Sequence, residues 1–187
     1  IGISDVDAQV RHERELALER ERMNRDALTG VKSRRAFLEM ETAMNARIEA
    51  GEAQPFAVVM CDINDLKAVN DARGHNAGDA CIMAASSIIC QTFKRSPVYR
   101  FGGDEFVALL QRQDYLNREE ILEQLARQNE INHLKGEVEV AFGCAEYIPG
   151  VDQKFEAVFD RADAEMYRYK RQMKSNAGGN EFLSVQE

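Results

Sequence analysis

An excess of positive charge, long apolar runs and paired-cysteine spacings are all missing from this 187-residue sequence. Each absence excludes something. Lys and Arg number 24 against 32 Asp and Glu, a net charge of −8. That balance argues against non-specific binding to nucleic acid or to an anionic membrane. A local basic pocket for a nucleotide stays open. No apolar run approaches the roughly 20 residues that a membrane-spanning helix needs, and no signal-peptide pattern is present. This segment is expected in the cytoplasm without membrane contact, whatever anchors the full-length protein. The four cysteines, Cys61, Cys81, Cys90 and Cys144, show no CxxC or Cys/His ligand spacing. All four lie in apolar stretches and read as small buried residues, which suits a reducing compartment. No initiator Met precedes Ile1-Gly2-Ile3, so the chain reads as part of a longer protein.

What is present is one domain of patterned sequence plus an appendage. Residues 1–25 are rich in Glu and Arg, with no Gly or Pro from Val6 onward. Val6, Val10, Ala17 and Met23 give a thin apolar stripe, so a lone helix here would be marginal. Residues 10 and 17, and 16 and 23, repeat every seven. That favours a two-stranded coiled coil over a helix folded back on its own domain. Gly30 is the expected C-terminal cap of this helix. Ser33 can cap a second helix over about 34–50. FAVVMCDI, residues 56–63, reads as a strand covered on both faces. Ile82, Ala85, Ile89 and Phe93 mark a helix over about 76–95. A hairpin follows, in which Gly102-Gly103 supplies the positive φ that tight turns need. NREEILEQLARQNEINHL is an amphipathic helix, and VEVAFGCAEY alternates like a strand. From Asp152 a last helix carries an apolar stripe at Phe155, Phe159, Ala162, Met166, Tyr169 and Met173. Residues 176–187 read as a tail. The alternation predicts an α/β (α+β) fold, a mixed central β-sheet flanked by helices.

Two acids, Asp104 and Glu105, stand directly after the hairpin glycines, where a plain turn needs none. Asp62 follows the apolar run FAVVMC. If these strands are neighbours, three carboxylates meet at one edge and repel unless a cation sits among them. Magnesium suits such a place, because it takes one or two protein carboxylates and completes its octahedron with phosphate oxygens and water. Two such ions about 3.5–4 Å apart can clamp an in-line displacement. From the hairpin alone, exposed turn residues are an equally good account.

The segment CDINDLKAVNDARGHNAGD, residues 61–79, shifts that balance. Asn64-Asp65-Leu66 can turn into a short helix whose free N–H groups suit phosphates, and Lys67 adds a point charge. Asn70 with Asp79 can read guanine, the carboxylate accepting from its ring N–H and exocyclic amine. Gly78 leaves room for a flat base. The bland alternative is that Asn76 and Asp79 stabilise a helix N-terminus, and a lone His75 is more often structural. Lys170 and Lys174, four apart, can reach a polyphosphate together or simply favour a helix C-terminus.

Taken together, Arg100-Phe101-Gly102-Gly103-Asp104-Glu105-Phe106 and the long motif from Asp62 to Asp79 resemble the GGDEF-domain family, the diguanylate cyclases. DALTGVKSRR resembles the family's opening motif and ADAEMYRYK its closing helix. The likeness covers about residues 26–174, and the helix over 1–25 resembles a signalling helix that links an upstream sensory domain. The resemblance implies a palm-like nucleotidyl cyclase fold, in which two domains face each other and each holds one GTP. Each 3′-hydroxyl attacks the other's α-phosphate, giving cyclic di-GMP and two pyrophosphates. By position, Asp62, Asp104 and the Ile63 backbone carbonyl match magnesium ligands, two ions per site, with manganese a possible substitute. Asp104 also matches the proton acceptor, and Glu105 stands beside it. Lys67, Lys170 and Lys174 match phosphate-binding positions, Asn70 and Asp79 guanine-reading ones, and His75 a nucleotide contact. Asp79 favours GTP, since members making a mixed cyclic dinucleotide resemble this pattern with Ser there.

The departures are specific. Asn64 stands where the family often has Asp, Leu66 where it has Phe, Ser33 where it has Asn, and Lys174 where it has Arg. The Arg-x-x-Asp site that binds inhibitory product in many members is replaced by Phe93 and Ser96. An active homodimeric cyclase without that inhibition is expected; a GTP-binding regulatory or dimerisation module without turnover is the alternative.

Overall fold

The computed structural model describes residues 3–181. Its elements run in the order α1 (Ile3–Met23), α2 (Arg34–Glu49), β1 (Phe56–Ile63), α3 (Leu66–Arg73) and α4 (His75–Thr92). They continue with β2 (Val98–Arg100), β3 (Glu105–Gln111), α5 (Arg112–Leu116), α6 (Arg118–Lys135), β4 (Val140–Glu146) and α7 (Phe155–Glu181). The strands form one sheet in the order β2-β3-β1-β4, so β1 lies inside it. Every residue of β1 is buried, which is why its sequence is a continuous apolar run rather than an alternating one.

The two faces of β1 are sorted by parity. Phe56, Val58 and Met60 face one layer, with Val107 and Leu109 of β3, Phe37 and Met44 of α2, and Phe155, Val158, Ala162 and Met166 of α7. Ala57, Val59, Cys61 and Ile63 face the other, with Ile82, Ala85 and Ile89 of α4 and Leu125 of α6. The apolar stripe expected on the last helix packs as read, with Phe159, Tyr169 and Met173 at the border of the first layer. Each large apolar side chain buried this way contributes about 1.5–3 kcal/mol.

The α/β class holds, with helices on both sheet faces, while strand direction differs from the expectation. All ladders between the named strands are antiparallel. The parallel pairing is an isolated bridge between Lys32 and Tyr99. Alternating helices and strands do not by themselves set which strands are neighbours: β2 runs the same way as β1, and the hairpin then places the reversed strand β3 between them.

Other local differences have plain causes. The first helix ends at Met23, and Asn24 N–H donates to Arg20 O (3.0 Å). Gly30, at φ +72°, closes a separate turn by donating to Asp26 O (2.9 Å). Ser33 caps α2 at Ala36 N (3.4 Å) as expected, and its hydroxyl also donates to Met23 O (3.0 Å). Residues 8–23 of α1 are exposed, and the helix meets the domain near its C-terminal end, where Arg20 pairs with Glu39 of α2 (3.3 Å). Cys61 is buried and Cys81 and Cys144 half-buried, but Cys90 is exposed. The short α5 has no sequence signal of its own. Helix α7 runs on to Glu181, into the stretch read as a tail, and 182–187 lie outside the described residues.

One glycine positions the site. Gly143 of β4 pairs with Met60 and lies under α7. A methyl group there would come within 2.0 Å of Met166 N and 2.3 Å of Ala162 O, which are backbone atoms that cannot turn aside. Gly143 therefore sets how closely α7 approaches the sheet. Replacing it with alanine is expected to lower stability by about 1–3 kcal/mol, the usual penalty for overpacking. Urea unfolding checks this, and an unchanged midpoint would contradict the close approach.

Candidate active site

The acids sit where the α7-facing stripe of the sheet runs out. In β1 that stripe reads Phe56, Val58, Met60, then Asp62. In the antiparallel register Met60 faces Val107, and two residues on Asp62 faces Glu105. Side chains directly opposite on one face are close neighbours. The ladder thus delivers Asp62 and Glu105 side by side at the end of the core. Ile63 N–H donates to the carbonyl of Asp104 (3.1 Å), which fixes Asp104 against the same strand end.

The glycines before them act through space rather than through φ. Neither Gly102 nor Gly103 has a positive φ. A Cβ on Gly102 would lie 2.5 Å from Glu105 Oε2, so the missing side chain makes room for that carboxylate. Gly103 faces open space, and its carbonyl accepts from Arg100 Nη2 (2.8 Å). Arg100 Nη1 in turn pairs with Asp26 (3.1 Å) in the opening motif. Burial works against the Asp26 carboxylate, but hydrogen bonds from Thr29 and Arg100 outweigh it and hold the carboxyl below its ordinary value. Asp26 and Arg100 thereby tie the turn to the segment leaving α1, a role not assigned from sequence.

Electrostatically the cluster is short of positive charge. Burial pushes the Asp62 carboxyl up; the hydrogen bond and charge of Lys170 pull it down, and Asp104 pushes it up. Burial pushes Glu105 up as well, followed by Asp104, Asp62 and Asp163, with Lys170 offsetting part. Lys170 donates to Asp62 Oδ1 from α7, and Lys174 lies 3.8 Å from Asp65. Asp62, Glu105, Lys170 and Lys174 line a cavity of about 520 Å³ together with Asp163, Met166, Tyr167 and Arg171. Asp163, Tyr167 and Arg171 were not singled out in the sequence. Their spacing of seven from Lys170 and Lys174, or four from Tyr167, was the available signal.

Lys67, Asn70, His75 and Asp79 lie apart from this cavity, on the α3–α4 pair. Asp65 enters α3 in the left-handed region (φ 55°), and no side chain caps that helix. The first N–H groups of α3 thus lack a side-chain cap, and Lys67 beside them is exposed. Gly78 does not hold a space open for a base: a Cβ there would lie 2.0 Å from Asn70 Oδ1, so the Asn70 side chain already fills it. The effect is to bring Asn70 to the residue beside Asp79. His75 opens α4 and is exposed, as is Asp79. Asn64 Nδ2 donates to Met173 Sδ (3.3 Å), while its buried Oδ1 has no partner.

Among the described residues no three His, Cys, Asp or Glu side chains converge as a metal cage. The candidate donors are instead two carboxylates, Asp62 and Asp104, plus the Ile63 carbonyl, all hard oxygens. That complement fits magnesium, which takes few protein ligands, and the negative excess around Glu105 fits a cation.

The raised Glu105 carboxyl has a consequence for stability. A carboxyl raised by folding costs stability above its folded value; the cost fades as pH falls through that value and is gone below the unfolded one, about 4.3. In chelator at pH 7, Glu105→Gln is expected to raise Tm, with the gain absent at pH 4. Thermal melts at both pH values check it, and an equal or lower Tm at pH 7 would contradict the repulsion.

Comparison with known proteins identifies the family. The family described as "Diguanylate cyclase, GGDEF domain" matches residues 23–176. Diguanylate cyclase DgcP of Pseudomonas aeruginosa is 32% identical over 179 residues, 91% of this chain and 26% of DgcP. Diguanylate cyclase VdcA of Vibrio cholerae is 31% identical over 170 residues, 86% of this chain and 46% of VdcA. The chain therefore spans less than half the length of these curated relatives. Among solved structures, the coiled coil and GGDEF domain of DgcB from Caulobacter crescentus, in complex with c-di-GMP, is 26% identical. It superposes with a TM-score of 0.69 over 91% of this chain and 93% of DgcB's. With its signature acids set side by side at the end of β1 and β3, the chain belongs to the diguanylate cyclase GGDEF-domain family.

Proposed function

We propose that this chain condenses two GTP molecules into cyclic di-GMP and two pyrophosphates, as a homodimer in which each subunit holds one GTP. The carrying observation is the β1–β3 ladder that sets Asp62 opposite Glu105, with Asp104 fixed beside them, at a cavity edged by Lys170 and Lys174. Asp62, Asp104 and the Ile63 carbonyl would hold magnesium, two ions per site, or manganese in its place. When bound, the metal supplies neutralisation of phosphate charge and of the departing pyrophosphate.

The remaining work belongs to the side chains. Lys67, the uncapped N-terminus of α3, Lys170 and Lys174 hold the triphosphate. Asn70 and Asp79 read guanine, and His75 contacts the nucleotide. Each 3′-hydroxyl oxygen attacks the α-phosphorus held by the other subunit, the α–β phosphoanhydride bond breaks, and pyrophosphate leaves with the electron pair. The hydroxyl proton passes to Glu105 or Asp104. The upward push on Glu105 suits it to this task. Positioning and electrostatics supply the catalysis.

Helix α1 carries the dimer reading. Val10, Leu16, Leu18 and Met23 are exposed on it, apolar surface without cover in the single chain. A parallel pairing of two such helices would set how the two sites face, under an upstream sensory domain. Inhibition through the Arg-x-x-Asp positions is not expected here, because Phe93 is in the core and the Ser96 hydroxyl is held by Asp114 (2.7 Å).

Incubation with GTP and magnesium, followed by nucleotide chromatography, is expected to yield cyclic di-GMP. Asp62→Asn and Asp104→Asn are expected to lower the rate at least a hundredfold with circular dichroism unchanged. Activity retained in either would remove it from the metal set, and GTP binding without product would leave a regulatory module. Deleting residues 1–25 is expected to lower the mass in solution to less than half and slow synthesis; a mass and rate that keep the dimer would contradict the role of α1.

A further inference from the structure

Lys170 has two partners that it cannot serve at once. Its place in the family pattern assigns it to a phosphate. In the free chain its ammonium is on Asp62 Oδ1. The pair is largely shielded, the side chains being 22% and 10% exposed. The neighbouring Lys174–Asp65 pair is 60% and 70% exposed, so solvent screens it. Lys170 is thus the cation that matters to the buried carboxylate.

We infer that Lys170 is the resident counter-ion of Asp62, holding it closed to divalent metal until a nucleotide triphosphate draws the ammonium away. The inference rests on Asp62 being a metal ligand. A buried carboxylate stripped of its partner is strongly unfavourable, and Asp104, Glu105 and Asp163 add negative charge around it. An ammonium already on Asp62 Oδ1 repels an incoming divalent ion and occupies its ligand. One cation leaves before the other takes its place. Gly143 packs the α7 backbone closely against β4 at Ala162 and Met166, so the movement falls to the side chain. The lysine carries its charge on a flexible four-carbon stem, and the adjoining cavity of about 520 Å³ gives it room. Phosphate oxygens in that cavity offer the ammonium a second anion. Nucleotide and metal therefore bind with positive coupling, each raising the other's affinity by the same factor.

The test is Mn²⁺ binding to the full chain, followed by electron paramagnetic resonance at pH 8. It is run without nucleotide and with 3′-deoxy-GTP, which lacks the attacking hydroxyl. In the wild type the nucleotide is expected to tighten Mn²⁺ binding roughly tenfold or more, within the usual range of such couplings. Lys170→Met keeps most of the apolar stem and loses the charge. It is expected to bind Mn²⁺ alone roughly tenfold more tightly than the wild type, with a smaller gain from nucleotide, and Lys170→Arg is expected to restore the wild-type pattern. Lys170→Gln serves in place of the Met variant if that chain does not fold. Equal Mn²⁺ affinity of the wild type and the neutral variant without nucleotide overturns the inference. Asp62→Asn isolates the reading beneath it: wild-type Mn²⁺ binding in that variant, with nucleotide present, would remove Asp62 as a metal ligand instead.

Discussion

The antiparallel pairing of β1 with β3 is the constraint on which the rest depends. A strand alternates its side chains with a period of two, so register decides which residues meet. Pairing Cys61 with Phe106 keeps Met60 and Val107 in the α7-facing core, and it obliges Asp62 and Glu105 to meet one step later. A slip of one residue would send the whole apolar stripe to the wrong face. The packing of the core therefore enforces the meeting of the acids. The stabilisation comes from the hydrophobic layer; the electrostatic cost is borne at its edge.

That cost is contained by α7. The helix covers the stripe with Phe155, Val158, Ala162 and Met166, and the next turns extend past the core to the acids. Its apolar and cationic residues lie on neighbouring faces, so one rigid element both buries the sheet and delivers Lys170 to Asp62. Gly143 makes the distance short enough. The same lysine lowers the Asp62 carboxyl that burial raises. The site is left with carboxylates pushed above their ordinary range, which disfavours stability, and with Lys170 paired to Asp62.

Much of this was legible in the sequence, for identifiable reasons. The run at 56–63 announced a doubly covered strand, and the stripe from Phe155 to Met173 announced a helix with one buried face. Asp62, Asp104 and Glu105 were legible as strand-end acids. What was hidden depends on contacts distant in sequence. Strand direction was hidden because both helical connections return the chain parallel, while the order β2-β3-β1-β4 sets only antiparallel strands side by side. The end of α1 at Met23 was hidden because Arg25 leaves the helix to bridge with Lys32, seven residues on. Asn70 filling the space over Gly78 needed the angle between α3 and α4. The partner of Lys170 was hidden too, since a lysine at a family phosphate position gives no sign of a carboxylate 108 residues earlier.

One arrangement of charge serves both the resting site and the working one. A crystal structure of the chain with a non-hydrolysable GTP analogue and magnesium tests that most directly. A metal ion is expected between Asp62, Asp104 and the Ile63 carbonyl, with the Lys170 ammonium moved from Asp62 to a phosphate oxygen. A nucleotide bound with Lys170 still on Asp62, or with no metal at that carboxylate, would contradict it.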